Sequence, residues 1–288
     1  MKRWLLRITL IVLAAVLLFV GGSWLAAQRL TRARPSVVGK APSDFPYPVE
    51  SITFTTRDDH ALSGWLVPAD ERDRAVVLLH GYTGNRKHML PRARSLRAHG
   101  YTVLLYDARA CGESAGACVT FGYREREDVI AAVKFLKDRG HERIACLGVS
   151  QGGATILFAA EDLQGVTCVI CESVYDEMTH AVDRRLRRYT GIPGWLGASL
   201  LIPFAEHRLD LSIDDVKPIA HIAKLPCPVY IISGDHDDRT LTEDTQRLFD
   251  AARVPKDLCL IEGAGHEDLF RHAGYEEKLH AYLKKHLE

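Results

Sequence analysis

Residues 143–160 read RIACLGVSQGGATILFAA. Ile144 to Val149 is a short, wholly apolar run, as expected of a strand buried on both faces of a sheet. Ala154 to Ala160 reads as helix. Between them stands Gly148-Val149-Ser150-Gln151-Gly152-Gly153, a GxSxG sequence in the strand–turn–helix setting that a nucleophile elbow requires. A serine in that turn sits on a strained backbone, so the flanking positions need minimal side chains to clear the neighbouring strand and helix. The competing reading is a Gly-rich turn without chemical meaning. It is disfavoured because few chance matches would fall between a strand and a helix.

Outward from this segment the pattern repeats. Ala75 to Leu79, Val103 to Tyr106, Val166 to Ile170, Val229 to Ser233 and Cys259 to Ile261 are further short apolar runs. Arg92 to His99 reads as a helix. Glu125 to Arg139 does so more clearly, with Val129, Ala132, Val133 and Leu136 on one face. Strands alternating with helices imply an α/β fold, a mostly parallel sheet with helices on both faces. Ile52 to Thr56 and Leu62 to Val67, joined by the polar Asp58-Asp59 turn, predict an antiparallel edge.

Residues from about 175 to 215 break the alternation. They carry Arg184, Arg185, Arg187 and Arg188, then Gly191-Ile192-Pro193-Gly194-Trp195 and an apolar stretch to Phe204. This predicts a helical insertion over the carboxyl edge of the sheet, where open α/β sheets bind ligands. Such an insertion would be a lid, with Trp195, Leu196, Leu200, Leu201, Ile202 and Phe204 as its apolar surface.

At the N-terminus, Ile8 to Ala27 carries no charged side chain and is flanked by Lys2, Arg3 and Arg7 before it and Arg29, Arg32 and Arg34 after it. About 20 apolar residues at about 1.5 Å rise span a hydrocarbon core of about 30 Å. Trp4 and Trp24 fall near the ends, where aromatic belts form. The expected organisation is a basic tail (1–7), a transmembrane anchor (8–27), a Pro-rich tether (28–50) and a globular domain (51–288). A cleavable signal peptide, with Gly21-Gly22-Ser23 offering small residues, is the alternative, although the apolar stretch is long for one. A buried soluble helix is a third reading. Basic residues flank both sides almost equally, so orientation is poorly set.

The 37 basic and 37 acidic side chains balance, and no basic block stands out from the globular part. Nucleic acid is therefore not an expected partner. Seven cysteines are an odd count for a disulfide framework, and most lie in apolar runs where a thiol acts as a small hydrophobe. Cys111 and Cys118 flank a Gly-rich loop and could pair in an oxidising compartment. No Cys/His spacing suggests zinc, so neither a metal nor a cofactor is expected.

Ser150 needs a base. His266, in Gly263-Ala264-Gly265-His266-Glu267 directly after the last predicted strand, has small residues before it that leave its ring free to reach across the sheet. His272, His280 and His286 lie in a C-terminal helical stretch and read as solvated surface, and His180 and His207 lie in the insertion. The base in turn needs an acid to fix its tautomer and stabilise the imidazolium. Gly234-Asp235-His236-Asp237-Asp238, after the strand Val229 to Ser233, offers three carboxylates, and the residues alone leave the choice among them open.

Taken together, the motifs resemble the α/β-hydrolase fold family over roughly Ile52 to the C-terminus. They look most like membrane-tethered bacterial hydrolases related in pattern to prolyl-oligopeptidase-type peptidases. In that fold the order along the chain is Ser, acid, His, which suits His266. The family's G-[ED]-x-D segment implies Asp237 as the acid, with Asp235 as runner-up. Its HGxxG loop, matched by His80-Gly81-Tyr82-Thr83-Gly84, implies an oxyanion donor at the Tyr82 amide beside that of Gln151. His80 itself reads as structural. Asp107-Ala108-Arg109-Ala110-Cys111-Gly112-Glu113-Ser114 resembles the family's D-x-R-G-x-G-x-S loop and departs from it at Ala110 and Cys111, in a loop expected to be architectural.

The function expected is hydrolysis of an ester, thioester or amide through an acyl-enzyme on Ser150. A carboxylesterase or lipid-active esterase is favoured over a peptidase, because the chain has no propeller-sized domain to sieve peptides. A non-catalytic scaffold of the same fold is the reading from a different class. The expected partners are a small acyl substrate and, through the N-terminal helix, a membrane, that of a bacterial cell.

Overall fold

The computed structural model of the chain describes residues 2–70 and 73–288; Met1 of the expected basic tail lies outside them. In chain order the elements are α1 (Lys2–Thr31), β1 (Arg34–Pro35), β2 (Glu50–Thr55), β3 (Ala61–Val67), β4 (Arg74–Leu79), α2 (Leu90–Ala98), β5 (Thr102–Tyr106), β6 (Cys111–Gly112), α3 (Arg126–Asp138) and β7 (Arg143–Val149). There follow α4 (Gln151–Phe158), β8 (Cys168–Glu172), α5 (Met178–Thr190), α6 (Gly194–Leu209), α7 (Ile219–Ile222), β9 (Val229–Gly234), α8 (Thr242–Ala251), β10 (Lys256–Ile261) and α9 (Tyr275–Leu287).

Eight strands form one sheet in the order β10-β9-β8-β7-β4-β5-β3-β2. β3 runs antiparallel to both β2 and β5, and the other pairings are parallel. This is the α/β-hydrolase fold. The inner strands alternate their side chains between two cores. Val77, Leu79, Ile144 and Cys146 face a core closed by α3, α4 and α8, while Val76, Leu78, Ala145 and Leu147 face one closed by α2 and α9.

Several boundaries differ from the sequence expectation, each for a local reason. β8 runs over Cys168–Glu172 rather than Val166 to Ile170, because the Val166 amide is engaged by the Leu163 carbonyl at 3.0 Å and pairing with β7 starts at Cys168. β10 begins earlier than expected, at Lys256. It is an edge strand paired only with β9, so its outer residues tolerate charge. His280 is not solvated surface. Its ring stacks on that of His99 with centroids 3.4 Å apart and its Nε2 bonds Ser95 Oγ at 2.8 Å, and burial, with His99 adding repulsion, pulls its pKa down to about 4. All seven thiols are free.

The stretch 28–50, expected as a tether, is held along the body. α1 stays helical to Thr31, β1 pairs in parallel with β6, and Val38 and Phe45 are buried. Over the sheet's carboxyl edge, the insertion expected at about 175–215 contains α5 and α6. α6 packs against α1, tied by Arg208 Nε to Thr31 Oγ1 at 2.8 Å.

Close packing of bare backbone decides where β7 turns into α4. A Cβ on Gly152 would overlap the Leu79 carbonyl of β4, and one on Gly148 would overlap the Gly152 backbone. Overpacking of this kind typically costs about 1–3 kcal/mol. Gly152→Ala should therefore lower the melting temperature by about 3–10 °C. Gly265→Ala, whose Cβ would meet only Asp268 Oδ1 at 3.5 Å, should leave it nearly unchanged. Scanning calorimetry of the two variants checks this, and equal shifts would contradict the packing argument.

Candidate active site

The turn after β7 holds Ser150 at φ 52° and ψ −112°, a conformation that costs a non-glycine residue about 1–3 kcal/mol and needs surroundings that enforce it. Those surroundings are visible. The Ser150 amide donates to the Glu172 carbonyl at the end of β8 at 2.7 Å, and its carbonyl starts α4 by accepting from Ala154 at 3.0 Å. Gly153 lies so near Val174 that a Cβ would overlap its side chain. The side chain of Ser150 is thereby raised above the sheet's carboxyl edge.

The loops after β9 and β10 are stitched together. Asp235 N donates to the Ile261 carbonyl at 3.2 Å and His236 N to the Ala264 carbonyl at 3.0 Å. From this base His266 and Asp237 meet. His266 Nδ1 lies 2.8 Å and 3.0 Å from the two Asp237 oxygens, and its Nε2 lies 3.1 Å from Ser150 Oγ. With Nδ1 donating to the carboxylate, Nε2 is left to accept from the serine hydroxyl. All three side chains are buried.

The three carboxylates of the cluster are in different situations. Asp235 accepts from Gly263 N at 2.7 Å and so closes the turn before His266. Asp238 is exposed and pairs with Arg188 of α5. Asp237 alone faces the imidazole, and its Oδ1 also accepts from the Arg239 and Thr240 amides at 2.9 Å each. Burial pushes its carboxyl up, but the hydrogen bond and charge of His266, with those two amides, outweigh burial and hold it below its ordinary value of 3.8.

The loop after β4 comes close to the serine. A Cβ on Gly81 would stand 3.6 Å from Ser150 Cβ. Among the described residues neither the Tyr82 nor the Gln151 backbone N–H has an acceptor. His80 accepts from Ala108 N at 3.0 Å and bonds the Gly81 carbonyl at 2.8 Å, linking this loop to the one after β5. In that second loop Asp107 accepts from Arg86 N at 2.7 Å and Glu113 N at 2.9 Å, and a Cβ on Gly112 would overlap its carboxylate.

Ser150 opens onto a cavity of about 120 Å³, roughly the scale of cavities that take up a benzene-sized apolar guest. Phe121, Tyr175, Leu201, Ile202 and Leu209 line it, and Leu30, near the end of α1, completes the wall. Trp195 and Leu196, expected as pocket surface, point away from it and are exposed. Gly194 and Gly197 are the buried positions on that turn of α6, so register sends Trp195 outward.

Two lining features escaped sequence reasoning. α1 contributes Ala27, Leu30 and Thr31, for which the sequence carries no signal. Arg185 lines the cavity although it stands in one basic run with Arg184, Arg187 and Arg188. A signal existed, because Met178, Ala181, Val182 and Arg185 fall at i, i+3, i+4 and i+7 on one face of α5.

Asp176, His180 and Asp244 bring ligand-type atoms together. The Asp176 carboxylate already accepts from Arg247 Nε at 2.7 Å and that of Asp244 from Arg184 Nη2 at 2.6 Å. Guanidinium groups thus take the place of a cation and clamp α5 to α8.

The chain belongs to the alpha/beta hydrolase family, whose model matches residues 76–277. It is 29% identical over 245 residues to the uncharacterized protein YfhR of Escherichia coli (strain K12), covering 81% of this chain and 80% of that one. The Pyrococcus furiosus esterase Pf2001 superposes with a TM-score of 0.75 at 25% identity, over 89% of this chain and 99% of that one. A bacterial membrane phospholipase A shares the fold over 99% of both chains, with a TM-score of 0.61 at 16% identity. The chain is thus a hydrolase by family, with esterases among its structural neighbours.

Because folding depresses the Asp237 carboxyl, the stability it adds is present above pH 3.8 and is lost as pH falls through its lower folded value. The melting-temperature gap between wild type and Asp237→Asn should hold from neutral pH to about pH 5 and shrink below about pH 4. A gap that widens in acid would reverse the sign of that assignment.

Proposed function

We propose that the protein is a membrane-held serine esterase that cleaves esters with apolar acyl chains through an acyl-enzyme on Ser150. The observation that carries this reading is the hydrogen-bonded series Ser150–His266–Asp237 at the mouth of an apolar cavity. In the proposed cycle Ser150 Oγ attacks the ester carbonyl while His266 Nε2 takes its proton. Asp237 keeps the Nδ1 proton in place and stabilises the imidazolium that forms. Charge on the carbonyl oxygen is received by the Tyr82 and Gln151 amides. His266 then returns the proton to the departing alkoxide, and water activated by the same imidazole releases the acid.

The anchor belongs to the proposal. α1 is 30 residues long, and the apolar side chains of its first half, such as Leu5, Leu10, Ile11 and Leu13, point outward from the body. That is the distribution a helix in lipid requires. Its other end walls the cavity, which brings an acyl pocket close to the membrane surface.

A fluorophosphonate probe should label a protein that stays with membranes through a carbonate wash. Ser150→Ala should abolish labelling and lower ester turnover by about 10³-fold or more. Asp237→Asn should lower turnover by a factor of about 10² to 10⁴, whereas Asp235→Asn and Asp238→Asn should stay within about threefold of wild type. Retention of more than about a tenth of wild-type turnover by Ser150→Ala would remove that residue from its role.

The cavity walls generate a second test. Burying an aliphatic side chain is worth roughly 1.5–3 kcal/mol. Leu201→Ala combined with Ile202→Ala should therefore raise KM for long-chain esters about tenfold or more and barely affect acetate esters. Trp195→Ala should leave the chain-length profile as it is. A profile unaltered by the double substitution would mean that acyl chains bind elsewhere.

A further inference from the structure

Of the four arginines on α5, three have an acidic partner. Arg184 reaches Asp244, Arg187 bonds Asp183 at 2.9 Å, and Arg188 reaches Asp238. Arg185 has none among the described residues. Its one hydrogen bond is from Nη1 to the Ala181 carbonyl of its own helix, at 3.2 Å. It nevertheless occupies the fourth position of the apolar stripe Met178, Ala181, Val182, Arg185 and lines the same cavity as Ser150. Other charges near it are committed elsewhere. Asp237 serves His266, Arg239 pairs with Glu267, and Glu206, which also lines the cavity, accepts from Ile213 N at 2.8 Å. Burial weighs most heavily against the Arg185 charge, and Arg239 adds repulsion.

A half-buried guanidinium without a counter-ion in an apolar wall is costly, and an anion delivered to it would be bound strongly. Arginine presents its donors in a planar fork that matches carboxylate and phosphate oxygens. We propose that Arg185 is a specificity-determining residue that binds an anionic group of the substrate, so that the preferred substrates are esters carrying a carboxylate or a phosphate beside their apolar chain. This rests on the esterase reading of Ser150 and adds a charge requirement to it. The anion is held by the α5 side of the cavity while the chain lies against Leu201, Ile202 and Leu30. No bond is made or broken at Arg185.

The test compares kcat/KM for charged and uncharged esters of equal length in two arms. One arm uses the mono-p-nitrophenyl ester of adipic acid against its methyl-capped counterpart. The other uses 1-acylglycerol 3-phosphate against 1-acylglycerol. Wild type should favour the charged member about tenfold or more in at least one arm, and the arm identifies carboxylate or phosphate as the group recognised. In Arg185→Gln the ratio should fall to about one, and Arg185→Lys should keep part of it. A ratio near one for wild type in both arms, or a ratio unchanged by Arg185→Gln, overturns the proposal. Calorimetric binding of decanoate and of decyl phosphate needs no turnover and separates the two readings. Wild type should bind at least one of them about tenfold more tightly than Arg185→Gln does, even if neither ester pair is cleaved. Equal binding by the two proteins overturns the role of Arg185 whatever becomes of the esterase reading.

Discussion

At the crossing of β7 and α4 the backbone of one element is pressed against that of its neighbours, leaving no volume for a side chain at Gly148 or Gly152. That contact holds Ser150 in a left-handed conformation it would not adopt by preference. Both the sheet and the site depend on it. The same close approach lets β4 and β7 pair side by side and brings the Gly81–Tyr82 loop within reach of the serine. Strain at one residue is sustained because the surrounding parallel sheet, filled on both faces, cannot relax around it.

Electrostatics organises the layer above. Asp237 keeps a charge in a buried position because two backbone amides and an imidazole compensate for its lost hydration. Glu172, buried at the end of β8, is compensated in a comparable way by Arg92 and the Tyr275 hydroxyl. α5 is pinned through Arg184 and Arg188 to acidic groups of α8 and the β9 loop, and Arg247 of α8 reaches back to Asp176 just before α5. A helix held by ion pairs along one edge can present its apolar face to the cavity without a large core of its own.

α1 joins two environments in one helix. Its first half exposes apolar side chains around its whole circumference, while Ser23, Ala27 and Thr31 form a buried stripe of small residues against the body. Small side chains let α6 approach closely, and Arg208 adds hydrogen bonds to Gln28 and Thr31. The wall of the cavity beside Ser150 and the exposed apolar stretch are thus parts of the same element. Any motion of α1 relative to the body would therefore alter the pocket.

Local chemistry makes much of this protein legible from the sequence alone. Short apolar runs alternating with amphipathic ones define a parallel α/β sheet, and GxSxG between a strand and a helix marks Ser150, because only glycine fits the turn. His266 was readable from its place after the last strand. Tertiary structure decided what depends on distance between remote segments. Asp235, Asp237 and Asp238 are equivalent as carboxylates in one short stretch, and only the fold of the β9 and β10 loops sends one of them to the imidazole and another to the Gly263 amide. Arg185 resembles its neighbours in sequence, yet helix register turns it inward while they turn to acids. Trp195 looked like pocket lining and faces outward, because the buried side of α6 falls on Gly194 and Gly197. Composition and periodicity specify which elements form, whereas which side chains share a cavity is set by how those elements cross, and no local pattern encodes the crossing.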